Sequence, residues 1–162
     1  MVAMLSLALG LLGTPVLPSA CSVMSRTEAQ GYVGEPISQV IPEEPAPDEA
    51  TGSIHTTCTY MGKARALVIS IDEFKSADAA QKKMTAEYLK AQDTDDDEAP
   101  PPTIEPENGL GDRAYYGQSP HAAMMLMVKG ARAYGAVLGG TVPKATDRTA
   151  LRKLVLAIAG KA

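Results

Sequence analysis

Cys21 and Cys58 are the only thiols in the chain, and the first follows directly on twenty residues that carry no charge. No other feature narrows so far what such a chain can fold into. Leu5 to Leu12 form a short apolar run, Gly13 and Pro15 interrupt it, and Pro18-Ser19-Ala20 closes it with small residues. A run too short to span a bilayer, ended in this way, has the form of a secretory leader cut after Ala20. No Lys or Arg precedes Arg26, which departs from the charged front end of most leaders. The expected organisation is a signal peptide over 1–20 and a single domain over 21–162. That domain would be exported, periplasmic or extracellular, with no transmembrane span once the leader is gone.

In an oxidising compartment an even pair of cysteines reads first as a disulfide. A loop of about 37 residues closed between them contributes roughly 3–4 kcal/mol in the chain-entropy description. The share is large because aromatic residues make up only 4% of the chain, with no Trp and one Phe, so the core is aliphatic and Met-rich. The rival reading makes Cys21 a lipid-anchored first residue. Lipoprotein signals place Leu three positions before the cysteine; Pro18 stands there, Leu17 is one place early, and Cys58 would be left unpaired. Only His55 and His121 could join the thiols in a metal site, and neither has ligand spacing, so neither metal nor cofactor is expected. Fifteen basic against nineteen acidic residues leave a net charge of −4, without the basic stripe that a nucleic-acid partner requires.

The elements are well punctuated. Ser25-Arg26-Thr27-Glu28 forms a capping box, with Ala29, Tyr32 and Val33 on one helical face and Gly34 as the stop before Pro36. Ile37 to Ile41 suits a strand, and Pro42 to Gly52 a proline-rich acidic loop. Ser53 to Tyr60 alternates as a half-buried strand, turns at Met61-Gly62-Lys63, and pairs with Ala64 to Ile71. A helix over Ser76 to Ala91 buries Ala77, Ala80, Met84, Tyr88 and Ala91. After a linker come strands over Arg113 to Tyr116, His121 to Val128 and Ala131 to Leu138, the last two joined at Lys129-Gly130. Thr146 or Asp147 caps a last helix that buries Leu151, Leu154, Val155 and Ile158 and closes at Gly160. This order describes an α+β fold, an antiparallel sheet with helices packed on one face. On Ser53–Tyr60 the alternation turns Ile54 and Cys58 inward and leaves Ser53, His55, Thr57 and Thr59 open to a partner.

Motifs for chemistry are missing. Gly109-Leu110-Gly111 lacks the third glycine and the following helix of a dinucleotide site, and no Gly-Lys-Ser/Thr follows, so it is a turn that tucks Leu110 inward. The acidic run 93–98 opens like a calcium loop, but Glu98 stands where the turn glycine belongs and Ile104 where the closing glutamate belongs. Ser119 has no Gly-x-Ser-x-Gly frame. Neither His55 nor His121 has an adjacent nucleophile and orienting carboxylate in the sequence. The methionines at 124, 125 and 127 read as core filling rather than a copper site.

Cys21 before the capping-box helix ending in Gly34-Glu35-Pro36, Cys58-Thr59-Tyr60, Gly109-Leu110-Gly111-Asp112-Arg113-Ala114-Tyr115 and Lys129-Gly130 with its strand and final helix form one pattern. It resembles small exported bacterial envelope proteins and lipoproteins of unknown function with a PsbP/Mog1-like domain. That resemblance implies a PsbP/Mog1-like α+β fold stapled by a structural disulfide, and no catalytic residues. The functional expectation is a non-enzymatic envelope domain that binds a protein partner or small ligand. Its candidate surface is His55 and Thr57, with Tyr115 and Tyr116 as the second choice. The alternative is a small periplasmic hydrolase using His121 or His55.

Overall fold

The computed structural model describes residues 16–91 and 100–162; leader positions 1–15 and the acidic run 93–98 with its calcium test lie outside these. Seven strands form one antiparallel sheet: β1 (Gln39–Asp48), β2 (Ser53–Met61), β3 (Ala66–Glu73), β4 (Thr103–Pro106), β5 (Arg113–Gln118), β6 (Ala122–Lys129) and β7 (Arg132–Gly139). Their spatial order is β1-β2-β3-β7-β6-β5-β4. Among the described residues the α-helices are α1 (Arg26–Val33), α2 (Ala77–Lys83), α3 (Ala86–Ala91) and α4 (Asp147–Lys161). The α+β class, the antiparallel sheet and the Cys21–Cys58 disulfide are as the sequence led us to expect.

Strand alternation divides the core in two. On the first face Cys58, Tyr60, Leu67, Ile69, Ile71, Met125, Met127, Tyr134, Ala136 and Leu138 meet α1 and α4. Leu151, Leu154, Val155 and Ile158 form the buried stripe of α4, and each such side chain contributes about 1.5–3 kcal/mol relative to exposure. The capping box of α1 is complete, and Gly34 ends that helix at φ 81°. Lys161 Nζ reaches Glu28 at 2.7 Å, joining the two helices. Cys21, in a short 3-10 turn over Ala20–Ser22, ties the entry to α1 onto β2. Leu17 and Ala20 are buried in this layer, with the Ala20 N–H donating to Thr56 Oγ1 at 3.1 Å. Beside them the Tyr60 hydroxyl donates to the Met24 carbonyl at 2.6 Å.

The second face is partly covered too, by α2 and α3. Phe74, Ala80, Met84 and Leu89 pack there on Met124, Leu126, Val128 and Ala133. Neighbouring methionines thus serve opposite layers, as the alternation of β6 requires.

Several boundaries differ from the sequence reading. The proline-rich segment after Ile41 is the continuation of β1 rather than a loop. It is an edge strand, where a missing N–H costs little, and a register shift between Glu43 and Ala46 absorbs Pro45. The opposite edge, β4, was hidden in the same way by Pro100 to Pro102 and Pro106. The helix expected over 76–91 breaks at Met84, and the Thr85 hydroxyl caps α3 by accepting from the Tyr88 N–H at 3.2 Å. Ala77 and Ala91 are exposed while Leu89 is buried. α4 runs through Gly160 to Lys161 instead of closing there. At the start of β2, Ile54 is 38% exposed and Ser53 is buried, the reverse of the expected pair. The Gly109-Leu110-Gly111 turn is as read: both glycines have positive φ, 67° and 59°, and Leu110 is buried.

Candidate functional site

The hairpin of β2 and β3 sets the site. Its register places His55 opposite Asp72 and Thr57 opposite Ser70. All four side chains share the second face, beyond the part that α2 and α3 cover. Between them and α3 lies a cavity of about 300 Å³, walled by Val68, Val137, Met124, Leu126, Tyr88 and Leu89. Gly135 belongs to its floor, and a Cβ there would run into Ser70 Oγ, so glycine is what leaves the Ser70 hydroxyl its place.

Polar groups gather at one end. His55 Nδ1 lies 2.8 Å from Asp72 Oδ1, and the same oxygen accepts from Ser53 Oγ at 3.1 Å. Ser53 Oγ is 2.7 Å from Thr51 Oγ1, whose hydroxyl lies 2.7 Å from Asp48 Oδ2. Asp72 is only 2% exposed, while the His55 side chain keeps 30% of its surface. The hydrogen bond to Asp72 raises the His55 pKa above its ordinary value, against the opposing effect of burial, and the charges of Asp72, Asp48 and Glu43 add to the rise. Burial pushes the Tyr88 hydroxyl up to about 12, helped by the carboxylates of Asp72 and Asp48. The imidazole is therefore pinned through one nitrogen, with the other left for a ligand.

The sequence-derived candidates separate here. His55 and Thr57 line this cavity. Tyr115 shares the face but packs against the apolar cluster beneath α2 and α3. Tyr116 is on the first face, its ring 4.8 Å from the Arg148 guanidinium and its hydroxyl 3.2 Å from Gln118 Oε1. His121 is exposed just ahead of β6. Asp72 is the residue that sequence reasoning missed: His55 does have an orienting carboxylate, from the neighbouring strand. Counting the register outward from the Met61-Gly62 turn would have found it.

Among the described residues no three of His, Cys, Asp and Glu are gathered to hold a metal ion, and no helix is long and apolar enough to cross a membrane. Arg148 and Arg152 close the other end of the sheet on Glu105, Glu107 and the turn carbonyls of Asn108 and Gly109, an arrangement that fixes β4 and the glycine turn against α4.

No family model matches the chain, and no curated protein matches its sequence. Among solved structures the chain is similar to the extracellular domain of PknH from Mycobacterium tuberculosis. The TM-score is 0.53 at 11% identity, over 86% of this chain and 94% of that one. At that identity the likeness concerns the fold: the same sheet-and-helix arrangement occurs in a domain that stands outside a bacterial cell.

Proposed function

We propose that the protein is an exported envelope domain that binds a small, largely apolar ligand in the cavity between α3 and the β2-β3-β7 part of the sheet. The observation that carries this reading is the cavity itself: apolar walls with hydrogen-bonding groups confined to one end, the usual composition of a ligand site. The disulfide and the extracellular setting of the PknH domain are consistent with export. Export through an N-terminal leader, and membership of the PsbP/Mog1-like envelope proteins, belong to the same reading; a cut after Ala20 would remove Leu17 and Ala20 from the core they occupy. Lipid on Cys21 would need the sulfur that the disulfide occupies, so the two states of Cys21 exclude each other.

The hydrolase reading rests on the His55–Asp72 pair. No hydroxyl of a described residue is hydrogen-bonded to the His55 ring, so a water would have to serve as nucleophile. Binding needs no such addition.

The test is titration with the neutral fluorescent probe N-phenylnaphthylamine, comparing wild type with Val137→Phe, which fills the half-exposed wall. Saturable probe enhancement in the wild type and its loss in a variant of unchanged melting temperature support the reading. Equal enhancement in both contradicts it. Turnover of a short-chain nitrophenyl ester, abolished by His55→Gln, would favour the hydrolase.

A further inference from the structure

Asp72 carries more of the site than its bond to His55. Its side chain is buried, it lines the cavity, and both hydrogen bonds it accepts, from Ser53 and His55, fall on Oδ1. Oδ2 accepts none from any described residue. A carboxylate oxygen left without a donor at the lining of this cavity is disposed to take one from a ligand.

The surrounding charges say which kind of donor. The groups facing His55 are the carboxylate of Asp72 on β3, those of Glu43 and Asp48 on β1, and the Tyr88 phenol on α3. Glu43 Oε2 is held at 2.6 Å by the Thr57 hydroxyl, and Asp48 by Thr51 and the Ala50 N–H. The charges that act most strongly on this imidazole, those of Asp72, Asp48 and Glu43, are all negative. Three carboxylates against the Lys83 ammonium, whose Nζ reaches the Ala50 carbonyl beside Asp48 at 3.5 Å, and at most one imidazolium leave the polar end of the cavity negative. A carboxylate or phosphate head would be repelled there, whereas an ammonium would meet Oδ2 of Asp72 with charge and hydrogen bonds together.

From this geometry we infer that the ligand is an amphiphilic amine, a cationic ammonium head on a compact apolar body, with the head on Asp72 and the body between Tyr88, Leu89, Val68 and Val137. This rests on the cavity being a ligand site and goes further, because a neutral or anionic ligand would satisfy the one and contradict the other. His55 then acts as a gate on charge: protonated, it offsets the Asp72 charge that draws the ammonium; neutral, it keeps its Nδ1–H on Oδ1 and leaves that charge to the ammonium.

Isothermal titration of the intact protein with octylammonium, octanol and octanoate separates the outcomes. Octylammonium should bind more tightly than octanol by on the order of tenfold, a charge-assisted hydrogen bond against a neutral one, and octanoate should bind least. Octylammonium affinity should rise with pH through the titration of His55, and His55→Gln should flatten that rise. Asp72→Asn should bring octylammonium down to the level of octanol. If that variant unfolds, the His55→Gln pH profile and the order of the three probes still decide. Octanol or octanoate binding as tightly as octylammonium overturns the amine assignment and leaves the cavity reading intact. Binding of none of the three, with no N-phenylnaphthylamine enhancement, overturns both.

Discussion

The two faces of the sheet are built from the same strands, yet they are finished differently. The first is sealed: α1 and α4 cover it, a disulfide fixes the turn before α1, and buried ionic contacts close its rim. The second is covered only over β4, β5, β6 and the near part of β7, by two short helices, and it leaves Val68, Ser70, Gly135 and Val137 half-buried around a cavity. Along β6, Met125 and Met127 go to the sealed side, while Met124 and Leu126 go to the other. Stability resides on one side of this sheet, and room for a ligand on the other.

The largest effects are expected where the sealed face is opened. Arg65 Nη2 lies 3.0 Å from Asp147 Oδ2, with both side chains nearly out of water, and Nη1 reaches the Val33 carbonyl at 3.4 Å. Arg65→Ala leaves a buried carboxylate at the start of α4 without its cation and should cost about 3–5 kcal/mol in urea unfolding. A loss under about 1 kcal/mol would show that the rim contributes little. Reduction of the Cys21–Cys58 bond, which closes a separation of 37 residues, should cost about 3–4 kcal/mol. Unfolding curves that coincide with and without reductant would remove the disulfide from the account.

A smaller effect is expected on the open face. The bond to Asp72 raises the His55 pKa, so its contribution is fully present below the unfolded value near 6.5 and fades as pH rises through the folded value. Thermal stability should therefore decline slightly as pH climbs from about 6 toward 8, and His55→Gln should remove that slope. A slope that survives the substitution assigns it to other groups.

Legibility followed the same division. The first face could be read from local signals: the capping box at Ser25 and Glu28, the 3.6-residue stripe of α4, and the alternation of β6 each carry their own physical reason. What escaped depended on where a segment sits in the sheet. Pro42, Pro45 and Pro47 argue against a strand unless it is known to be an edge. The break at Met84 was masked because Ala80, Met84 and Tyr88 keep helical spacing across it. His55 was singled out from its strand register, but its partner Asp72 is 17 positions away on another strand and appears only once the hairpin register is carried through. Nothing local marks the cavity, since α3 must first be placed on β4 and β5, beside the uncovered part of the sheet.

Met124 and Met125 offer the most direct measurement, because they are adjacent in sequence and report opposite faces. With isotope-labelled methionine methyls, titration of the intact protein with N-phenylnaphthylamine should move the Met124 resonance progressively. Met125 borders the cavity but packs in the other layer, so its resonance should shift less than that of Met124, and the Met127 resonance should stay in place. Shifts at Met125 and Met127 with Met124 unmoved would put the ligand on the sealed side and contradict the division of labour between the two faces.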